Sequence, residues 1–256
     1  MSAEPAFLGV SSSLTGRRWK ARVVDDRLAL ALAQGHGLPE IVGRLLAARG
    51  VGMEEAERFL NPTLKALMPD PSVLKDMDRA AGRIARAIRD GEKVAVFGDY
   101  DVDGATSTAL LARFFRDVGG SLRVYIPDRI KEGYGPNLPA LLSLKEEGAG
   151  LVLTVDCGVT AFDAVEGAVA AGLEVIVVDH HKAEPRLPAC HAVVNPNRLD
   201  EPAGGPLSTL AAVGVSFLLI VAVNRALRDA GWYRDRTAPD LLRYLDIVAL
   251  GTVLSL

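Results

Sequence analysis

The sequence has few cysteines, few aromatic residues and no long apolar run. Its 256 residues include two cysteines, Cys157 and Cys190, and aromatic residues make up 5% of the chain. Two cysteines cannot form a disulfide framework, which favours an intracellular, cytoplasmic protein. The longest apolar segment, residues 213–223, is shorter than the roughly 18 residues of a membrane span. The first residues contain no basic start followed by an apolar stretch, so the sequence indicates neither a signal peptide nor a membrane protein.

The charge of the chain does not identify a binding partner. The formal net charge is −3, and 49% of the residues are hydrophobic. This hydrophobic content excludes disorder for most of the chain. A slightly acidic chain lacks the basic excess that is typical of nucleic-acid binding. Composition therefore predicts a soluble globular protein, and its function has to be inferred from local motifs.

Short apolar runs alternate with helical patterns through most of the chain. Such alternation predicts βαβ units and a parallel sheet that is buried on both faces. We therefore expect an α/β fold, in which helices sandwich a mostly parallel sheet. Residues 1–75 form a helical N-terminal segment and linker, and residues 76–256 form the main domain. The predicted strands are 94–97, 122–126, 151–155 and 175–178, and the predicted helices of the main domain are 76–89, 107–117, 138–147, 161–171, 207–228 and 241–250.

Acidic residues and histidines follow three of the four predicted strands. The first strand leads into Gly98-Asp99-Tyr100-Asp101-Val102-Asp103, the third into Asp156, and the fourth into Asp179-His180-His181. The carboxyl ends of parallel strands form the ligand-binding crevice of an open α/β sheet. So many carboxylates at one edge repel one another unless cations neutralise them. The pattern therefore predicts a site for divalent metal ions.

Each part of this pattern has a simpler explanation when it is taken alone. Asp103 and Asp156 are both placed to cap a following helix. The DxDxDG segment resembles half of a calcium-binding EF-hand loop, but Leu110 stands where that loop needs a glutamate. The cysteines lack zinc-site spacing, and no phosphate-binding glycine motif is present. Only the combination of the three clusters points specifically to a metal site.

Four segments, in this order and spacing, resemble the N-terminal motifs of the DHH phosphoesterase superfamily. They are GDYDVDGATSTALL, IPDRIKEGYG, TVDCGVTA and VVDHH. Within the superfamily, the resemblance is greatest to the RecJ-like single-strand-specific DNA exonucleases, and the flanking segments agree. It implies 5′-to-3′ hydrolysis of single-stranded DNA with two bound Mn²⁺ ions, with Mg²⁺ as another possible metal. It also implies a role in DNA repair and recombination.

The resemblance also implies roles for individual residues. Asp101, Asp103 and His180 would be metal ligands, and Asp156 would bridge the two ions. Asp99 and His181 would act in catalysis, Asp99 on a ligand or a metal-bound water and His181 on the substrate phosphate or a proton. The substrate phosphate would be bound by residues of the second motif, namely Arg129, Tyr134 and Gly135.

One departure from the family pattern affects the predicted metal site. In the family, the GTV of LDIVALGTV continues as Ala-Asp, and this aspartate is a further metal ligand. Here Leu254 and Ser255 follow Val253. The second DHH-associated domain and the oligonucleotide-binding domain of RecJ-like proteins are also not part of this sequence. The chain is thus expected to be either a piece of a longer protein or a short form with impaired activity.

Two other functions stay open at this point. One is a DHH phosphodiesterase that acts on short oligonucleotides or cyclic dinucleotides, although such proteins usually begin close to the first motif. The other is a catalytically silent binding module. The missing aspartate argues for a silent module. Against it stands the presence of all six other site residues, namely Asp99, Asp101, Asp103, Asp156, His180 and His181.

Overall fold

The computed structural model describes residues 6–22 and 25–255, and it divides the chain into two compact units, Met1–Pro69 and Asp70–Leu256. The division lies six residues before the boundary that the sequence predicts. Leu74 accounts for the difference, because it is buried in the core of the second unit. The backbone N–H of Lys75 also donates to the carboxylate of Glu201 at 2.6 Å. Residues 70–75 therefore belong to the second unit.

The described residues of the first unit, 6–22 and 25–69, include four short α-helices. They are α1 (Asp26–Gly35), α2 (Glu40–Ala48), α3 (Met53–Leu60) and α4 (Leu64–Leu67). Asp25 caps α1 by accepting two backbone N–H groups, which fixes where the helix begins. A small core holds the helices together, and it consists of Leu32, Leu46, Val51 and Ala56.

The second unit is built around a five-stranded parallel sheet in the order β2-β1-β3-β4-β5. The strands are β1 (Lys93–Phe97), β2 (Ser121–Tyr125), β3 (Leu151–Val155), β4 (Glu174–Val178) and β5 (Ala192–Val194). The helices are α5 (Met77–Asp90), α6 (Val102–Val118), α7 (Arg129–Glu132), α8 (Leu138–Glu146), α9 (Phe162–Ala170), α10 (Ala212–Asp229) and α11 (Leu245–Leu254). The predicted α/β fold with a parallel sheet between helices is confirmed.

Alternating side chains of the strands pack on opposite faces of the sheet. Val94 and Val96 belong to a core that includes side chains of α5, α6 and α10. Ala95 and Phe97 point the other way, into a core with side chains of α8 and α9. Because apolar helices cover both faces, the strands are continuous apolar runs. Functional groups are therefore confined to the edge where the strands end.

The structure corrects several predicted helix boundaries. Helix α6 begins at Val102 instead of residue 107, because Asp101 caps it at its first turn. The predicted helix 207–228 is a short 3-10 turn, Pro206–Thr209, followed by α10. Helix α10 is the longest of those described, and no helix within residues 6–22 and 25–255 is long and apolar enough to cross a membrane.

Candidate metal centre

The order of the strands brings the acidic segments together. The sheet order 2-1-3-4-5 has a topological switch point between β1 and β3, which is where ligands bind in open α/β folds. Asp99 and Asp101 follow β1, Asp156 follows β3, and His180 and His181 follow β4. These three strands are neighbours in the sheet. The predicted clusters therefore meet at one edge.

The loop after β1 holds two carboxylates in different environments. Asp99 is buried and accepts the backbone N–H of Tyr100 at 2.8 Å. Asp101 is exposed, and its Oδ1 accepts the N–H groups of Asp103 and Gly104 at 3.0 and 2.9 Å. Gly104 is required here, because a Cβ at this position would lie 2.6 Å from the backbone nitrogen of Asp99. The other oxygen of Asp101 is left for a ligand.

Asp156 is the most unusual carboxylate of the site. It is 1% exposed and has a left-handed backbone conformation, with φ of +61°. Its Oδ1 is buried and has no hydrogen bond of good geometry from the described residues, although Nε2 of His180 lies 3.2 Å away. Burial, together with the nearby carboxylates of Asp103 and Asp101, raises its pKa to about 7, although His180 opposes the shift. A buried carboxylate without a donor is a costly arrangement, which a bound cation would relieve.

His180 is oriented by a hydrogen bond on the far side of its ring. Its Nδ1 lies 3.0 Å from the carbonyl oxygen of Leu210. Since a carbonyl only accepts, Nδ1 carries a proton, and in the neutral imidazole Nε2 then has the lone pair. Nε2 points to Asp156, 3.2 Å from Oδ1. A histidine whose second nitrogen donates to a carbonyl is the usual arrangement for a metal ligand.

Asp179 fixes the position of His181, a role that the sequence analysis did not assign. Its Oδ1 accepts the ring Nδ1–H of His181 at 2.7 Å and the backbone N–H groups of both histidines, and its Oδ2 accepts the N–H of Val159 at 3.0 Å. This contact raises the pKa of His181 to about 9. Burial acts to raise the pKa of Asp179, but the hydrogen bonds and the charge of His181 lower it overall.

Asp103 has a structural role in addition to the predicted one. Its two oxygens accept the backbone N–H groups of Ala212 and Val213 at 2.7 and 2.8 Å, which caps the first turn of α10. It is buried, and its Oδ2 lies 3.6 Å from Nε2 of His180. Asp103 thus borders the site, and both of its oxygens already accept hydrogen bonds. Its role as a metal ligand stays a prediction.

The residues of the second motif line the open side of the site. Arg129 is exposed, and its guanidinium carbon lies 5.2 Å from the centre of the Tyr100 ring. Tyr134 donates its hydroxyl to the backbone carbonyl of Asp156 at 3.4 Å. Gly135 has a φ of +78°, which favours glycine. Asp128 caps α7 through the N–H groups that follow it.

Two sets of possible ligand atoms meet at this edge of the sheet. One atom each from Asp156, His180 and His181 forms a set within 4.8 Å, and one atom each from Asp99, Asp101 and Asp156 forms another. Asp156 is common to both sets. Carboxylate oxygens and imidazole nitrogens suit Mn²⁺ or Mg²⁺. The donor atoms and the unpaired Oδ1 of Asp156 therefore fit two divalent ions that share this carboxylate.

The end of α11 lies near the same edge. A Cβ on Gly251 would collide with Oγ1 of Thr106, in the N-terminal part of α6, and would lie 2.7 Å from Cγ1 of Val213, in the first turn of α10. Ser255 therefore follows a helix that packs against the site. Asp246 is at the other end of α11 and forms an ion pair with Arg113 at 3.2 Å.

Comparison with known proteins agrees with this geometry. Residues 93–252 match the model of the DHH family, N-terminal domain. The chain is 38% identical over 239 residues to the single-stranded-DNA-specific exonuclease RecJ of Bacillus subtilis, covering 93% of this chain and 28% of that protein. It is 40% identical over 220 residues to the RecJ exonuclease of Escherichia coli, covering 84% of this chain and 37% of that one.

Solved structures of RecJ proteins also resemble this chain. RecJ of Thermus thermophilus in complex with Mn²⁺ superposes with a TM-score of 0.68 and 29% identity, covering 89% of this chain and 30% of that one. A structure of exonuclease RecJ bound to manganese superposes with a TM-score of 0.60 and 34% identity, covering 72% of this chain and 44% of that one. The chain thus spans less than half the length of these proteins. On its motifs, its fold and the match over residues 93–252, the chain belongs to the DHH family.

Proposed function

We propose that this chain is a metal-dependent phosphodiesterase that hydrolyses single-stranded DNA from its 5′ end. The observation that carries the proposal is the buried Asp156 carboxylate. It has an oxygen without a hydrogen-bond donor among the described residues, and it belongs to both sets of ligand atoms. Mn²⁺ is the metal we propose, with Mg²⁺ as a second possibility. The solved structures support this choice, since both RecJ structures named above contain manganese and Thermus thermophilus RecJ has also been solved with Mg²⁺.

Asp101, Asp156 and His180 would hold the ions, and Asp99, predicted to act on a ligand or a metal-bound water, offers a further ligand atom. When bound, two divalent ions supply an activated water and stabilise charge on both oxygens of an in-line displacement. A bound cation would complete the ionisation of Asp156 near neutral pH, because burial raises its pKa to about 7. His180 would present its Nε2 lone pair, since Nδ1 donates to Leu210. Asp103 would hold the first turn of α10 against this set, and its predicted role as a ligand is part of the proposal.

The remaining site residues would act on the substrate. His181 is oriented by Asp179 and half exposed, so it is placed to donate a hydrogen bond or a proton to a phosphate oxygen. Arg129 is exposed, and its charge acts to lower the pKa of Asp99. It would bind a substrate phosphate through charge-assisted hydrogen bonds. Tyr134 and Gly135 would shape the wall of the substrate site. By the same proposal, the protein acts in DNA repair and recombination in the cytoplasm.

The proposal is tested by following a 5′-phosphorylated oligonucleotide, single-stranded or in a duplex, with Mn²⁺ and with EDTA. We expect cleavage of the single strand with Mn²⁺ and none with EDTA. Asp156→Asn should abolish the cleavage. Asp235→Asn, which changes an exposed aspartate of the same unit, is the matched control and should have no effect. Cleavage in EDTA, or full activity of the Asp156 variant, would refute the proposal.

A further inference from the structure

A cavity of about 500 Å³ lies beside the metal centre. Its lining includes Tyr134, Gly135, Gly158, Phe162 and Arg186. Ligand pockets typically measure about 300–1,000 Å³. The cavity is therefore large enough for part of a substrate.

The walls of the cavity are continuous with the metal centre. Tyr134 donates its hydroxyl to the backbone carbonyl of Asp156, and Gly158 follows Asp156 by two residues. The ring of Tyr134 also lies 6.3 Å from the ring of His181, centre to centre. A strand whose phosphate is at the metal centre would therefore have an adjacent nucleotide within reach of the cavity.

The cavity contains a stacked pair of an aromatic ring and a guanidinium group. The guanidinium carbon of Arg186 lies 4.3 Å from the centre of the Phe162 ring. Glu166 holds this guanidinium through a hydrogen bond of 2.7 Å. Aromatic rings and guanidinium planes are the surfaces on which the bases of single strands stack.

The charges around the cavity favour a neutral group over a phosphate. Glu166 compensates the charge of Arg186, and Asp163 adds a further carboxylate to the lining. A phosphate would meet net negative charge here, whereas a nucleobase carries no charge and presents a π face and hydrogen-bonding edges.

We propose that this cavity receives one nucleobase of the single-stranded substrate, stacked on Phe162 and Arg186. The inference rests on the proposed function and deepens it. The metal centre would bind the phosphate, and the stacked pair would position the strand without strong preference for one base. Phe162 and Arg186 are then substrate-binding residues that were absent from the sequence motifs.

The test combines protein variants with abasic substrates. Affinities are measured by fluorescence anisotropy in Mn²⁺ for 5′-phosphorylated oligonucleotides whose terminal linkages are phosphorothioates, to slow hydrolysis. Each abasic oligonucleotide lacks one base, at one of the first four positions from the 5′ end. We expect wild type to lose about tenfold in affinity for one abasic position, in line with the cost of losing one stacked base. Phe162→Ala should bind the intact oligonucleotide about tenfold more weakly and no longer distinguish that abasic position.

Two further variants separate stacking from packing. Phe162→Leu fills most of the same volume without a π face and should behave like Phe162→Ala, and circular dichroism checks that both are folded. Arg236→Ala is the matched control. Arg236 stacks on Trp232 at 3.9 Å, and Trp232 donates to Val118 at the far end of α6, about 25 Å from Asp101. This control should bind like wild type.

The outcomes distinguish the two proposals. If wild type binds the intact oligonucleotide but no abasic position weakens binding, the cavity proposal is overturned and the proposed function stands. The cavity proposal is likewise overturned if Phe162→Leu retains the full abasic effect. If wild type binds no single strand even at high protein concentration, the proposed function fails and the cavity proposal with it.

Discussion

Replacing Asp156 by asparagine should stabilise the metal-free protein. Asp156 is 1% exposed, and burial raises its pKa from 3.8 to about 7. In the unfolded chain the carboxyl ionises near its ordinary pKa, so above pH 7 the folded state has to hold a charge that the unfolded chain holds at no cost. A pKa difference of about three corresponds to about 4 kcal/mol of free energy of unfolding. Asparagine has the same shape without this charge, and it tolerates the left-handed backbone at this position.

The sign of the pH dependence follows from the raised pKa. The folded state binds more protons than the unfolded state between about pH 4 and pH 7, so wild-type stability falls as pH rises through this range. We expect Asp156→Asn to raise the free energy of unfolding by about 2–4 kcal/mol at pH 8.5, the lower bound allowing for the lost contact with His180. The difference should shrink to about half at pH 5.5.

The measurement is urea denaturation in EDTA. Trp232 lies in the same unit as Asp156, and a Trp19→Phe background confines the fluorescence signal to that unit. Adding Mn²⁺ should stabilise wild type by mass action and leave the variant nearly unchanged. A variant that is less stable than wild type at pH 8.5 in EDTA would refute the argument, as would an equal difference at both pH values.

The other predictions concern the substrate and the edges of the site. Arg129→Ala should weaken binding of single-stranded DNA in anisotropy titrations and leave Mn²⁺ affinity unchanged. Lys131→Ala is the matched control and should weaken DNA binding less. Equal losses of DNA and Mn²⁺ binding in Arg129→Ala would show that Arg129 is a counter-ion of the carboxylates. The double change Leu254→Ala and Ser255→Asp should tighten the weaker of two Mn²⁺ sites in calorimetry, since it adds an anionic ligand, and unchanged binding would count against a role for this position. Asp103→Ala should lower the free energy of unfolding by about 1–3 kcal/mol even in EDTA, because it removes the cap of α10, and an unchanged urea midpoint would contradict that role.

The site residues that directly follow a strand could be predicted from the sequence. Parallel strands all place their carboxyl ends at one edge of the sheet, so the strand assignment alone predicts that the loops after β1, β3 and β4 meet. The family motifs then gave roles to individual residues. The structure brings Asp99, Asp101, Asp156, His180 and His181 together as those motifs imply.

Contacts between distant segments could not be predicted. Asp103 caps a helix that begins 109 residues later, and no local pattern indicates such a partner. The same bond explains why the predicted helix 207–228 divides before α10. Phe162 is the first residue of α9, and Arg186, 24 residues later, lies in the loop between β4 and β5. Only the packing of that loop against α9 places the two in one cavity.

Calorimetric titration of Mn²⁺ into the 256-residue chain tests the central claim most directly. The account predicts binding of at least one Mn²⁺ ion by wild type and by the control Asp235→Asn, and loss of that binding in Asp156→Asn, since both sets of ligand atoms include this carboxylate. Binding of Mn²⁺ by wild type near pH 7 should release a proton, because the pKa of Asp156 is about 7. No binding by wild type, or wild-type affinity in Asp156→Asn, would contradict the assignment of this edge of the sheet as a metal centre.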